Sequence, residues 1–207
     1  MNSLLGGKKD KYFKEMDDEI QSLMRRDTLE IVSRKSVADH NVIQETWSFK
    51  FKRKPDWKIR KFKAQYCVGG DIKKILSPKP LNLYSQVVQW ATVRLMLILQ
   101  CILSLQIQSI NFTNSFSRAY ITSGEPVIIE LPRYFKSDGG KNDGVIKLKK
   151  SLYGQAEAAR LWYENLRYSL LERGFVTSKV DPCLFMSNTV ICVVYVDDCI
   201  FMGTFTI

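Results

Sequence analysis

Two adjacent carboxylates interrupt an apolar run near the end of the chain. In Val190-Ile191-Cys192-Val193-Val194-Tyr195-Val196-Asp197-Asp198-Cys199-Ile200-Phe201-Met202, Asp197 and Asp198 stand between two β-rich segments. Burying both charges without a counter-charge would be prohibitive. A hairpin turn avoids this, because both carboxylates can then face one cleft where divalent cations offset their charge. The plainer alternative is an exposed Asp-rich turn with no chemistry, since Asp is a favoured turn residue. The segment by itself leaves both open.

A second cluster is basic. Lys50, Lys52, Arg53, Lys54, Lys58, Arg60, Lys61 and Lys63 crowd into one stretch, interleaved with Phe49, Phe51, Trp57 and Phe62. Cations and aromatic rings together suit phosphates and unstacked bases. They equally describe a solvated face over a small aromatic cluster. The whole chain of 207 residues carries 31 Lys and Arg against 21 Asp and Glu, a net charge of +10, with a pI near 9.4. That excess favours a polyanionic partner, either nucleic acid or an anionic membrane surface.

Several chemistries are excluded. His40 is the only histidine, which nearly excludes a Ser-His-Asp triad and a multi-histidine metal site. His40 lies in a polar stretch and is expected in a solvated loop. Five cysteines with no C-x-x-C pair argue against a disulfide framework and a zinc ribbon. Cys183, Cys192 and Cys199 lie in apolar surroundings and are expected as buried thiols. Residues 1–10 lack a signal pattern. The longest apolar region, Val87–Leu105, contains Gln89, Thr92, Arg94, Gln100 and Ser104. A central Arg disfavours a membrane span, and a buried core helix is expected instead.

The elements that must position these groups follow from periodicity. Phe13, Met16, Ile20, Leu23 and Met24 predict a helix over Lys9–Arg26. Thr28–Val32 predicts a short strand and Ser33–Gln44 a loop. Trp47–Lys54 alternates aromatic and basic residues, and Lys58–Val68 returns, so the two form a hairpin across Lys54-Pro55-Asp56-Trp57. Gly69-Gly70 ends it, and Asp71–Ser85 is an irregular connection. Strands are expected at Gln106–Phe112, Val127–Glu130 and Val145–Leu148, with a helical or turn segment at Thr113–Arg118 and a turn-rich loop at Ser137–Gly144. Gln155–Arg173 is a helix with Ala158, Leu161, Trp162 and Leu166 on one face, stopped by Gly174. Leu184–Met186, Val190–Tyr195 and Cys199–Met202 are the last strands. Hairpins outnumber βαβ signals, giving an α+β layout with an antiparallel sheet and helices to one side.

At this point the sequence resembles a known family. Tyr195-Val196-Asp197-Asp198 matches the Y-V-D-D signature of reverse transcriptases. Ser151-Leu152-Tyr153-Gly154, followed by Arg160 and Trp162, resembles the S-L-Y-G…R-x-W segment of the copia-type retrotransposon enzyme. Arg53-Lys54-Pro55-Asp56, then Lys63-Ala64 and Gly70, resembles its fingers hairpin. Val87-Val88 with Ala91-Thr92-Val93-Arg94 resembles its helix before the first catalytic strand, and Val180-Asp181-Pro182-Cys183-Leu184 its strand leading into Y-V-D-D. The motifs are collinear from about Tyr12 to Gly203. The resemblance implies one reverse transcriptase domain with a right-hand polymerase fingers and palm. The tail is residues 1–11, the fingers-like region 12–86, the palm-like region 87–203, and 204–207 the end. After the hairpin only Gly203–Ile207 remain, so no thumb, connection or ribonuclease H segment is expected.

The resemblance also implies RNA-directed DNA polymerase activity by two-metal nucleotidyl transfer. Two Mg²⁺ ions would activate the primer 3′-hydroxyl and clamp the triphosphate. Three carboxylates usually hold the metals. Asp197 and Asp198 supply two, and the third position is occupied by Asn111. An amide offers one neutral carbonyl oxygen and an NH₂ donor, so it cannot bridge two cations, and activity is expected to be impaired. The nucleotide-binding positions implied are Lys63, Gln65, Phe116, Gly154, Gln155 and Tyr195. Gln65 stands where the family has Arg, losing charge and fork geometry, and Lys63 offers a partial substitute. Phe116 aligns with the aromatic that excludes a 2′-hydroxyl, although a core aromatic would look the same. Lys50, Lys52, Arg53, Lys54, Lys58, Arg60 and Lys61 would contact nucleic acid. The implied partners are an RNA or DNA template-primer and deoxynucleoside triphosphates, with no membrane. The implied location is intracellular, cytoplasmic and particle-associated or nuclear. The alternative is a non-catalytic nucleic-acid-binding remnant or pseudogene product.

Overall fold

The computed structural model describes residues 2–69, 84–121, 126–132 and 144–204. Gly70, most of the expected connection 71–85 and the loop 137–143 lie outside the described residues. In chain order the elements are α1 (Asn2–Arg25), β1 (Leu29–Ser33), β2 (Val42–Ile43), β3 (Glu45–Arg53), β4 (Ile59–Val68), α2 (Trp90–Ile102) and β5 (Gln106–Asn111). They continue with β6 (Ile128–Glu130), β7 (Gly144–Leu148), α3 (Ala158–Glu172), β8 (Val176–Thr177), β9 (Leu184–Met186), β10 (Val190–Tyr195) and β11 (Asp198–Gly203). The mixture is α+β. The chain forms two compact units, Met1–Leu81 with Phe116–Ala158, and Asn82–Ser115 with Ala159–Ile207.

In the first unit, α1 runs further toward the N-terminus than its apolar period. Met16, Ile20 and Leu23 recur on one face and are buried. The helix stops at Arg25, and Asp27 just beyond it has a φ of 52°, the left-handed conformation that turns the chain away. Ile20 and Leu23 join Leu29, Ile43, Tyr66, Val68, Val127, Ile129, Ile146, Leu148 and Leu152 in the core. A four-stranded sheet in the order β1-β7-β6-β2 lies there. Its β2–β6 pairing is parallel, beside the antiparallel β1–β7 and β6–β7 pairings. Two residues arriving from a distant part of the chain are free of the hairpin constraint that enforces antiparallel order. β3 and β4 form a separate two-stranded hairpin with Trp47 opposite Tyr66 and Lys50 opposite Lys63. Tyr12 of α1 meets Phe49 and Phe62 edge-on at 5.1 and 4.9 Å between ring centres. The segment expected as a loop, Ser33–Gln44, holds a 3-10 turn at Arg34–Val37 besides β2. His40 is half-buried rather than solvated, its backbone N–H donating to the Val37 carbonyl at 2.9 Å.

The second unit is a five-stranded sheet in the order β5-β11-β10-β9-β8, antiparallel at every pairing. α3 buries Leu161, Trp162, Leu166 and Leu170, the expected stripe extended by one turn. It begins at Ala158 rather than Gln155 and stops before Gly174, whose φ is 81°. Cys183, Cys192 and Cys199 are buried free thiols. Burial lifts the Cys183 thiol to about 12. A hydrogen bond with Cys199, with burial behind it, raises Cys192. Thiols held protonated in this way are unreactive.

The expectation of a buried helix over Val87–Leu105 is corrected. α2 buries only Thr92 and Met96, while Trp90, Leu95, Ile98 and Ile102 are exposed. An apolar composition states a preference, but burial needs a facing surface, and a cap rather than a packed face fixes this helix. The buried Asp181 carboxylate accepts from Gln89 N–H at 3.0 Å, Thr92 O–H at 2.6 Å and Cys183 N–H at 2.9 Å. It therefore satisfies the start of α2 and ties it to the strand entering β9. Among the described residues no helix is long and apolar enough to cross a membrane.

Candidate active site

The β10–β11 hairpin closes tightly. Tyr195 pairs with Asp198, leaving Val196-Asp197 as a two-residue turn. Val196 sits at φ 55°, where hairpins normally place glycine. For a β-branched residue this is strained, costing about 1–3 kcal/mol. Both turn carbonyls are held. The Trp162 indole N–H donates to Val196 O at 2.7 Å, and the Phe112 N–H donates to Asp197 O at 2.8 Å. Phe112 also meets Trp162 edge-on at 5.3 Å.

On the other side of β11 lies β5, with Asn111 directly opposite Asp198. Residues directly opposite in neighbouring strands share a sheet face. Asn111, Asp198 and Tyr195 therefore form a row on one face, with Asp197 at the adjoining turn. The Asn111 amide donates from Nδ2 to Asp198 Oδ1 at 2.6 Å. Asp198 and Asn111 are exposed and Asp197 half-exposed. Among the described residues no three His, Cys, Asp or Glu side chains cluster as a metal site. The donor set here is two carboxylates and one amide. The amide's NH₂ group faces the oxygen a shared cation would use, so the set does not fit a pair of bridged cations.

The other expected residues lie in the first unit. Lys50 opposite Lys63 and Lys52 opposite Lys61 place four ammonium groups on one face of the β3–β4 hairpin, with Gln65 further along it. Burial lowers the pKa of Lys63, and Lys52, Lys50 and Lys61 act in the same direction, while Glu19 opposes them. Arg53 stacks over Phe51 at 4.8 Å and Trp57 at 5.9 Å and donates to Trp57 O. The Lys54 N–H closes the tip on Lys58 O at 2.9 Å, and Lys58 pairs with Asp56 at 3.4 Å. Arg60 is exposed, and Lys61 lies 3.8 Å from Glu15.

Ser151-Leu152-Tyr153-Gly154 is a junction. Ser151 O–H donates to Phe116 O at 2.6 Å, and Tyr153 meets the Phe116 ring edge-on at 4.8 Å. The Val68 N–H donates to Tyr153 O at 2.8 Å. Gly154 has φ 82°, and a Cβ there would lie 2.2 Å from Val68 O. The close approach requiring glycine is thus to the end of β4. Phe116, Gly154 and Gln155 are gathered here, but Gln155 is buried. Its Oε1 accepts from Leu152 N–H at 3.3 Å and its Nε2 donates to Glu157 at 2.9 Å. Neither Trp162 as a partner of the turn nor Asp181 as a cap had a site role in the sequence. Only the placement of Trp162 in a motif and of Asp181 beside Pro182 could have signalled them.

Residues 26–206 match the family described as reverse transcriptase (RNA-dependent DNA polymerase). The chain belongs to that family. It is 28% identical over 94% of its length to the retrovirus-related Pol polyprotein from transposon TNT 1-94 of Nicotiana tabacum, of which it spans 15%. It is 30% identical over 76% of its length to the corresponding polyprotein from transposon RE1 of Arabidopsis thaliana, spanning 11%. It is 28% identical over 92% to the transposon Ty1-DR4 Gag-Pol polyprotein of Saccharomyces cerevisiae, spanning 11%. The chain thus covers a small part of each relative. No solved structure gives a significant match. This is a copia-type reverse transcriptase domain, and the family generally uses Mg²⁺.

Proposed function

We propose that the domain descends from a template-directed polymerase that extends a primer 3′ end with deoxynucleotides, and that this copy does so poorly. Residues 12–86 are taken as fingers-like and 87–203 as palm-like. Asp197 and Asp198 are the cation ligands, and Asn111 occupies the third ligand position. The observation that carries this reading is the row of Asn111, Asp198 and Tyr195 on adjacent strands. The hydrogen bond that the Asn111 amide donates to Asp198 supports impairment, because a donor stands where a bridging charge is needed. The protein's own residues would orient substrate. The lysine face of β3–β4 would hold phosphates, Lys63 would assist Gln65 at the triphosphate, and Phe116 with Gly154 would line the nucleotide, the buried Gln155 bracing their loop from behind.

A second reading, nucleic-acid binding without catalysis, is favoured by the same Asn111 and by the intact lysine face. Either role would be exercised inside the cell, in a particle or the nucleus. Primer extension on an RNA template separates them, using the chain as written, Asn111→Asp, and Asn111→Asp with Asp197→Ala. Asn111→Asp should raise extension about tenfold or more, and Asp197→Ala should abolish the gain. No gain from Asn111→Asp would sink the catalytic reading.

A further inference from the structure

The hairpin turn is held by contacts that its own sequence does not supply. Val196 occupies a left-handed conformation without being glycine, a state that persists only where the surroundings over-determine it. The Trp162 indole N–H, buried with its ring, donates to Val196 O at 2.7 Å. The same ring packs on Phe112, whose N–H donates to Asp197 O at 2.8 Å and which follows Asn111 in the chain. One side chain therefore touches the turn and the end of β5, the two segments that carry Asp197 and Asn111.

We propose that Trp162 is a positioning residue that clamps the strained Val196-Asp197 turn and so sets how Asp197 and Asp198 present their carboxylates to a cation. The cation half of this statement rests on the proposed function of the hairpin; the clamp does not. Without the indole donor, Val196 O loses its partner in a part-buried setting, and the strain at Val196 opens the turn. Replacing Val196 by glycine removes that strain, so the turn no longer needs the clamp.

Amide hydrogen exchange on the full chain tests the clamp. Trp162→Phe keeps a ring against Phe112 and loses the donor. Exchange at Phe112 should quicken about tenfold or more, amides of the β9–β10 pairing should be unchanged, and Trp162→Phe with Val196→Gly should return to the parent rate. Unchanged exchange at Phe112, or failure of glycine to restore it, would overturn the proposal. Should Trp162→Phe not fold, Val196→Gly alone decides: relieved strain must slow exchange at Phe112, and faster exchange is the contrary result. Mn²⁺ titration followed by electron paramagnetic resonance adds the functional arm. The parent should bind Mn²⁺, Trp162→Phe about tenfold more weakly, and the double variant like the parent. Parental binding unaltered in Trp162→Phe counts against the proposal. A parent that binds no Mn²⁺ overturns its cation half, and with it the cation reading of the hairpin, while exchange still decides the clamp.

Discussion

Asn111 and Asp198 stand directly opposite, and an amide facing a carboxylate is a comfortable pair without any metal. Asn111→Asp would place two like charges there, which destabilises by up to about 1 kcal/mol. A cation bound between them restores that and more through linkage. Thermal unfolding should thus show Asn111→Asp less stable than the parent in chelator and raised further than the parent by added Mg²⁺. Equal Mg²⁺ shifts in both would count against a cation site. Glu19 gives a pH test. Burial raises its pKa above the usual carboxylate value, against a hydrogen bond from the Tyr66 backbone and the charges of Lys63 and Arg26. A raised folded pKa means the favourable protonated state is complete below the unfolded value and is lost as pH rises through the folded one. Glu19→Gln keeps an acceptor and drops the charge, so it should stabilise at neutral pH, with the gain vanishing in acid. Urea unfolding across that range measures it; a gain independent of pH would contradict the assignment. At this scale the sequence pointed to the place of the carboxylates, since Asp197-Asp198 interrupts two β-rich apolar runs as a hairpin turn would. It did not reveal that Gln155 spends both ends of its amide inside its own loop, or that Gly154 is required by Val68. Both depend on segments distant in sequence.

Elements with a long period were legible, and short ones were not. α1 and α3 follow from apolar spacing, apart from their first residues, and the β3–β4 hairpin from aromatic–basic alternation about a Pro-Asp turn. β2 and β8 have two residues each, too few for a pattern, and exist because a neighbouring strand offers free backbone groups. The apolar composition of α2 misled, because a single sequence does not say which surface faces a helix. What anchors α2 is Asp181, and its removal has a defined consequence. Asp181→Ala leaves the Gln89 and Cys183 N–H groups and the Thr92 hydroxyl without their acceptor. Hydrogen bonds to charged groups contribute about 1.5–3 kcal/mol each, so a loss of about 3 kcal/mol or more is expected by chemical denaturation. Asp181→Asn keeps one acceptor and should lose less. Equal loss in both would mean the carboxylate acts through bulk rather than through its acceptors.

For the whole molecule, the excess of ten positive charges says only that a polyanion is favoured. The fold converts part of that excess into a pattern, because strand register sets Lys50 against Lys63 and Lys52 against Lys61. Like charges directly opposite repel, and the carboxylates of Glu15 beside Lys61 and Glu19 near Lys63 offset that repulsion in part. A bound polyanion turns the same arrangement into attraction. Replacing all four lysines by alanine should therefore weaken binding of a primer-template while leaving the chain as stable as the parent, or more so. On duplex DNA the log–log slope of affinity against salt should flatten by about 0.9 for each lysine that contacts a phosphate. Salt titrations by fluorescence anisotropy, paired with thermal unfolding of the same variant, read both quantities. Weaker binding with an unchanged slope would move phosphate contact elsewhere. Weaker binding with a lost fold would show that the four stems support the hairpin through packing instead of serving a ligand.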